Sequence, residues 1–498
     1  MDDEAEVGTG VSTGTDRSVN VTDGALLLPM LVLAAPVVVA YTLDMAYYIV
    51  DLYWIGYLGT EAVAAVSYAW PIVFLFTSIG MGITTAGTVL VAQYKGAGRL
   101  SETDRLASQT IGIITILSTA IGLAGYLLAP TMLTLIGATP GSGPHQMAVA
   151  YTRITFVGMV PIFWFFAFDA LARGWGDTRT PLYLVTISVL INVVVDPFVI
   201  LGFADNPIFI WFGAESIGAA VYEITEFDGY GVAGAAAATI LSRSIGATVG
   251  LWLLFSGSVG LSVEWTKVWP RMDAMRSIGS IGLPTSAEMG LRASGIAVMT
   301  AIIAVEGDTA IAAYGISEYL AALLLLPAIG LARGIETVVG QNLGAAQTAR
   351  AKRVVVLGSA VVVFVFVAII AAAYPVAESL VGIFLSAESD AGSTDEVVRI
   401  AAAFVWIIGP TYVFLGVFHL VLGAFRGSGH TRVALVFAAM ELWLLRLPLS
   451  LFALLWLDTG VIGVWYAFAV SYVVSTLMAV GWFSRGTWTQ PVVGTESR

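Results

Sequence analysis

The chain has 498 residues, 58% hydrophobic and only 11% charged, with a formal net charge of −12 and no cysteine. Soluble domains carry about 25% charged residues, so the composition specifies a polytopic membrane protein whose core is a helix bundle in the bilayer. It excludes disulfides and thiolate metal sites, and it lacks the basic surplus that nucleic-acid binding requires.

Residues 1–23 are polar and acidic without an apolar run, and read as a disordered cytoplasmic tail rather than a signal peptide. Twelve apolar segments follow, at roughly 25–55, 61–92, 107–136, 148–171, 180–203, 231–256, 277–304, 309–340, 352–384, 396–424, 431–457 and 460–484. They divide into an N-terminal six-helix lobe (24–256), a basic linker (257–276), a C-terminal six-helix lobe (277–485) and a short tail (486–498). The expected fold is therefore all-α, with twelve transmembrane helices in two six-helix repeats. Sixteen of the 22 lysines and arginines fall in the tails and the alternate even-to-odd loops, while the opposite loops hold none. By the positive-inside rule both termini are expected in the cytoplasm of a cell-membrane protein. Only three lysines stand beside nineteen arginines. Acid-rich, lysine-poor segments suit a cell with high internal salt, where screening weakens like-charge repulsion.

The first apolar segment carries Pro36, whose ring removes the amide that would bond the Val32 carbonyl, so a bend is expected there. Asp44 and Asp51 lie further along, two turns apart on one face. An aspartate at mid-bilayer depth costs about 2.5–3.5 kcal/mol on insertion scales, which places it against protein or a water-filled cavity. Tyr47 lies between them as a possible cavity residue.

The two halves repeat. Displaced by 248 positions, Pro36 meets Pro284, AVAAVS (62–67) meets AIAAYG (310–315), Gly82 meets Gly330, and VAQYKGAG (91–98) meets VGQNLGAA (339–346). Further on, ARGWGDTRTPL (172–182) matches FRGSGHTRVAL (425–435), and GVAGAA (231–236) matches GVIGVW (460–465). Six helices return the chain to the same side, so the repeats are parallel and related by an axis along the membrane normal.

Subtracting one half from the other locates chemistry. Asp51 maps onto Met299, Asp196 onto Leu447, and Thr239 near Phe468, so the polar set Asp51, Asn192, Asp196 and Thr239 belongs to the first half alone. Asn192 and Asp196 are four apart on one helix face, and Pro197 frees the Val193 carbonyl. These are hard oxygen ligands suited to a proton or Na⁺. Two carboxylates in one dry site cannot both ionise cheaply, so one of them is expected to hold its proton toward working pH. Other intramembrane charges fall into pairs on one helix: Glu288 with Arg292, Arg333 with Glu336, and Glu441 with Arg446. These read as structural or cavity-lining. His419 reads as a satisfied polar residue, and the Phe163–Phe166 aromatic run as packing. No GxxxxGK[ST], HExxH or GxSxG arrangement occurs, so no enzyme is indicated.

In combination, Pro36…Asp51 followed by WIGYLGTEAVAAVS, then VAQYKGAG, ARGWGDTRTPL, NVVVDP and GVAGAAAAT, resembles the multidrug and toxic compound extrusion transporters over about residues 25–485. The pattern is similar to the archaeal and DNA-damage-inducible type. The resemblance implies two six-helix lobes around a central cavity, and export of small organic, cationic or amphipathic compounds in exchange for H⁺ or Na⁺. No cofactor is implied beyond that ion, and no partner beyond substrate and lipid, with the protein acting as a monomer. Carried onto this sequence, it implies Asp51, Asn192, Asp196 and Thr239 as ligands of the coupling cation, H⁺ or Na⁺, and Pro36 as a bend that responds to protonation. The family's other major branch uses an acid on the tenth helix, which the run 410–427 lacks. The alternative reading is a lipid-linked precursor flippase of the same superfamily, whose cavity would hold several cationic side chains.

Overall fold

A computed structural model describes residues 18–204, 206–384 and 391–494 of the chain. The first half runs α1 (Leu27–Gly56), α2 (Thr60–Gly96), α3 (Leu100–Leu135), α4 (Gly143–Val157), α5 (Met159–Trp175) and α6 (Arg179–Leu201). Two short helices, α7 (Pro207–Trp211) and α8 (Glu215–Thr225), then precede α9 (Val232–Phe255). The second half runs α10 (Met272–Ala304), α11 (Asp308–Gly344), α12 (Thr348–Ala373), α13 (Ala377–Gly382), α14 (Ala391–Ile408), α15 (Tyr412–Gly427) and α16 (Thr431–Ala439). A π-helical turn, Met440–Arg446, leads into α17 (Leu447–Leu455), and α18 (Gly460–Ser484) closes the bundle.

Among the described residues, eleven helical stretches are long and apolar enough to cross a membrane, and α4 with α5 makes a twelfth span bent by 52°. The bend falls at Gly158, where a Cβ would collide with the Ile240 side chain. Large apolar side chains point outward along the spans, with Phe364 75%, Leu444 70% and Leu123 63% exposed. Water would not tolerate such a surface, and lipid requires it.

The repeat is visible in the backbone. Gly59 and Gly307, 248 apart, open α2 and α11 with φ of 98° and 95°, a region where a side chain would be strained. Gly82 of α2 presses on Ser286 of α10, and its counterpart Gly330 of α11 presses on Val38 of α1. Small residues at these crossings let the backbones approach closely. Neither α1 nor α10 stays within one lobe. Met30, Leu33 and Ala34 of α1 pack into the C-terminal core while Tyr47 packs into the N-terminal one. Conversely, Ile278 and Ile281 of α10 lie in the N-terminal core, and Met299 and Ile303 in the C-terminal one. Pro36 and Pro284 sit at these two crossovers, within helices that continue past them.

The lobes are joined at the end of the bundle that carries both termini. Gln93 donates to the Gly427 carbonyl (3.1 Å) and its counterpart Gln341 to the Gly174 carbonyl (3.0 Å). Beside them, a Cβ on Gly96 would strike the Gln341 carbonyl, and one on Gly344 the Gln93 carbonyl. Residues 18–23, expected within a disordered tail, are docked here instead. The Val19 amide donates to Gly176 in the first lobe (3.1 Å), while Asn342 and Arg350 of the second donate to the Val21 carbonyl (3.1 and 3.2 Å). The tail is held through its backbone, which its polar composition does not reveal. The rest of the expected tail, residues 1–17, lies outside the described residues. At the other terminus Trp488 is buried and the Val492 amide donates to the Gln93 side-chain oxygen (2.9 Å). The interlobe linker is clasped by Gln109, which donates to the Trp269 carbonyl (2.7 Å) and accepts from the Arg271 amide (2.6 Å).

Candidate functional site

Three helices of the N-terminal lobe meet around the expected acids. α1 contributes Asp44, Tyr47 and Asp51, α6 contributes Asn192 and Asp196, and α9 contributes Thr239 and Arg243. Asp51, Asn192 and Asp196 come together: they are 6%, 1% and 0% exposed, and the two carboxyl groups stand within hydrogen-bonding reach of each other. Asn192 donates through Nδ2 to one oxygen of Asp196 at 2.8 Å. Three buried oxygens then remain without a donor among the described residues: Asp51 Oδ1, Asn192 Oδ1 and Asp196 Oδ2. Both acids lie five residues from the helix ends remote from the termini, Gly56 and Leu201, about 8 Å along the axis. The site thus lies toward the end of the bundle remote from the termini.

Thr239 joins the set only indirectly. Its hydroxyl is 2.5 Å from the Tyr47 hydroxyl, one turn of α1 away from Asp51. Asp44 is an ion-pair residue: Arg243 approaches it at 2.5 Å and lies against the rings of Phe165 (5.1 Å) and Tyr47 (5.7 Å). The partner of Asp44 therefore comes from α9, which no spacing along α1 could indicate.

Two ionised carboxylates ~3 Å apart repel by about 5 kcal/mol even at an effective dielectric of ~20. A single positive charge between them removes that cost, and the three free oxygens are placed to accept it. A shared proton needs only the two acids. Na⁺ also needs the Asn192 oxygen and carbonyls, and the donor set of two carboxylates, an amide and backbone oxygens fits a hard cation.

The second lobe holds charges of another kind. Glu288 binds Arg292 at 3.5 Å, as its i,i+4 spacing foretells, but Arg426 from α15 approaches it more closely at 3.0 Å. Arg426 also binds Glu336 at 2.6 Å, and Glu336 binds Arg333 at 3.2 Å. Three arginines and two glutamates form one chain across α10, α11 and α15. Arg426 and Arg173 are two of the sixteen basic residues that the positive-inside pattern places in loops, yet they are 8% and 7% exposed; Arg173 is paired with Asp169 at 2.9 Å. Both precede the glycine of matching motifs in the two repeats, and that parallel was the available signal. His419 donates to the Leu415 carbonyl (2.9 Å) and Trp164 to Thr115 (2.8 Å), satisfied packing residues as read from the sequence.

Comparison with known proteins gives concordant findings. The MatE family pattern matches residues 36–198 and again 284–452, once in each repeat. A probable multidrug resistance protein of Bacillus subtilis, YoeA, is 25% identical over 452 residues, covering 90% of this chain and 91% of its own. An FAD transporter of Shewanella oneidensis is 25% identical over 86% of this chain and 87% of its own. A solved MOP superfamily transporter from Pyrococcus furiosus, its binding pocket described as reversed in polarity, superposes with a TM-score of 0.84 at 18% identity over 95% of this chain and 98% of that one.

Proposed function

The chain belongs to the MatE family of membrane transporters, and on that premise we propose that it is a secondary active exporter of small organic cations and amphipathic compounds. The coupling ion is taken up by Asp51 and Asp196, with Asn192 as a further ligand and Thr239 acting through Tyr47. The observation that supports this reading is the set of three buried oxygens without a donor where the two carboxylates meet. The direct approach of the acids favours H⁺ over Na⁺. The protein works as a monomer in the cell membrane with both termini in the cytoplasm.

The test is efflux of a fluorescent organic cation from vesicles holding the purified protein, under an imposed pH gradient alone or a Na⁺ gradient alone. Acceleration by the pH gradient is expected. Export unaffected by either gradient would sink the reading. A second reading, transport of an anionic or lipid-linked cargo, draws on the chain of Arg292, Arg333 and Arg426, which exceeds its two glutamates by one positive charge. Stimulation by an anionic amphiphile and none by a cation would favour it.

Pro36 supplies the mechanical link. α1 passes between the cores at this residue, fifteen positions before Asp51, and the missing amide makes that point the weakest of the helix. Charge neutralisation at Asp51 then biases straight and bent forms of one helix. Pro36→Ala is expected to cut turnover severely with normal expression. Wild-type turnover in that variant would remove the hinge.

A further inference from the structure

The places in the second lobe that match Asp196 and Thr239 hold Leu447 and Phe468, and a different polar site is built beside them. Residues 440–446 form a π-helical turn. Positions five apart diverge on an α-helix, but i→i+5 bonding brings them to one side, and such turns recur at functional sites. Here the π-turn carries Glu441 and Arg446 together, with Arg446 Nε 3.0 Å from Glu441 Oε1. The guanidinium lies 4.7 Å over the Phe468 ring and 4.8 Å over that of Tyr472. Tyr412 closes the side next to Tyr472 (6.1 Å between rings), and Glu318 of α11 lies within electrostatic reach of Arg446. Glu441 is 0% exposed and its second oxygen, Oε2, has no donor among the described residues. Two acidic side chains, those of Glu441 and Glu318, stand against the one arginine, and the next cation, Arg292, is engaged by Glu288.

Aromatic faces with carboxylates behind them are what recognises a delocalised or quaternary organic cation. We propose that this is a cation cage of the C-terminal lobe, resting with Arg446 as a tethered occupant, and that an incoming organic cation exchanges places with the arginine. The first lobe must take its positive charge from solution, whereas the second carries one on its own chain. Arg446 is part-exposed at 12% of its side chain and sits on a long flexible stem, so it can withdraw without moving the helix. The assignment of cargo class rests on the exporter reading above, while the cage itself is a matter of binding.

The test is equilibrium binding of tetraphenylphosphonium to the purified full chain with no gradient present. Arg446→Gln, which empties the cage and leaves two carboxylates, is expected to bind at least about tenfold more tightly than wild type, or about 1.4 kcal/mol. Arg446→Lys should stay near wild type, and Phe468→Leu should bind several-fold more weakly. Unchanged or weaker binding by a monodisperse Arg446→Gln protein overturns the cage. Should that variant aggregate, unchanged binding by Phe468→Leu overturns it equally. Absence of binding by wild type also overturns it. Binding that follows the expected order without efflux under any gradient would instead sink the exporter reading and leave the cage standing.

Discussion

Gradient-driven efflux is expected to fall to the level of protein-free vesicles in both Asp51→Asn and Asp196→Asn, with yield and monodispersity unchanged. The two carboxyls share one buried site, and each contributes an oxygen with no donor among the described residues. An amide in either place keeps the shape but can neither gain and lose a proton nor balance the charge of Na⁺. Folding should survive because replacing a buried carboxylate by a neutral isostere relieves desolvation. Asn192→Ala separates the ions: a shared proton needs only the acids, so H⁺-driven export should persist at reduced rate, whereas a Na⁺ site would lose one of its few oxygens. Ion-driven transport in the Asp51→Asn, Asp196→Asn double variant would refute the site.

The largest loss of stability is expected at Glu336. Its carboxylate is fully buried and is held between Arg426 at 2.6 Å and Arg333 at 3.2 Å. Glu336→Gln leaves two guanidinium groups inside the bundle with only Glu288 to answer them. Removing one partner of a buried ion pair costs about 3–5 kcal/mol, because the other charge remains without compensation. The expected result is a large fall in the temperature at which the purified protein loses monodispersity, or failure to accumulate in the membrane. Glu288→Gln should be milder, since Arg426 keeps Glu336 and Arg292 is part-exposed. The first repeat carries Thr88 where the second has Glu336, and that hydroxyl only donates to the Ala170 carbonyl (2.8 Å). Thr88→Val is therefore the matched control, with a small effect. Equal stability of Glu336→Gln and Thr88→Val would show that the chain of charges contributes nothing to the fold.

Much of the architecture was legible because it rests on one-dimensional signals. Apolar runs mark the spans, and the shared register of Pro36, Gly82 and Gln93 with Pro284, Gly330 and Gln341 marks the repeat. The pairing of Asp51 with Asp196 followed from subtraction, since an acid lost from the second half has no role in the shared scaffold. What escaped was contact between residues on different elements. Arg426 reads as a loop cation and is an internal one, because its partners sit 138 and 90 positions away. Thr239 was assigned beside the acids, yet its partner is Tyr47, which lies between the two aspartates of α1 and was noted without a bond. The pair of Glu441 with Arg446, read from the sequence, does form, but the π-turn that brings their five-residue spacing to one side carries no sequence signal. The docked tails bind through carbonyls and amides that every residue owns, so no composition could announce them.

The two crossing helices limit how the lobes can move. α1 and α10 each begin in one core and end in the other, like two straps crossed between the halves of a toy whose tumbling panels never come apart. Sliding one lobe along the other would shear both helices, and drawing the lobes apart would pull each from one of its cores. The motion that strains neither is a turn about a line through Pro36 and Pro284, the two places where each strap lacks a backbone amide to hold its turn. Such a joint has a single degree of freedom, so one end of the bundle must shut as the other opens. A leak through both ends at once is prevented by geometry before any ion takes part.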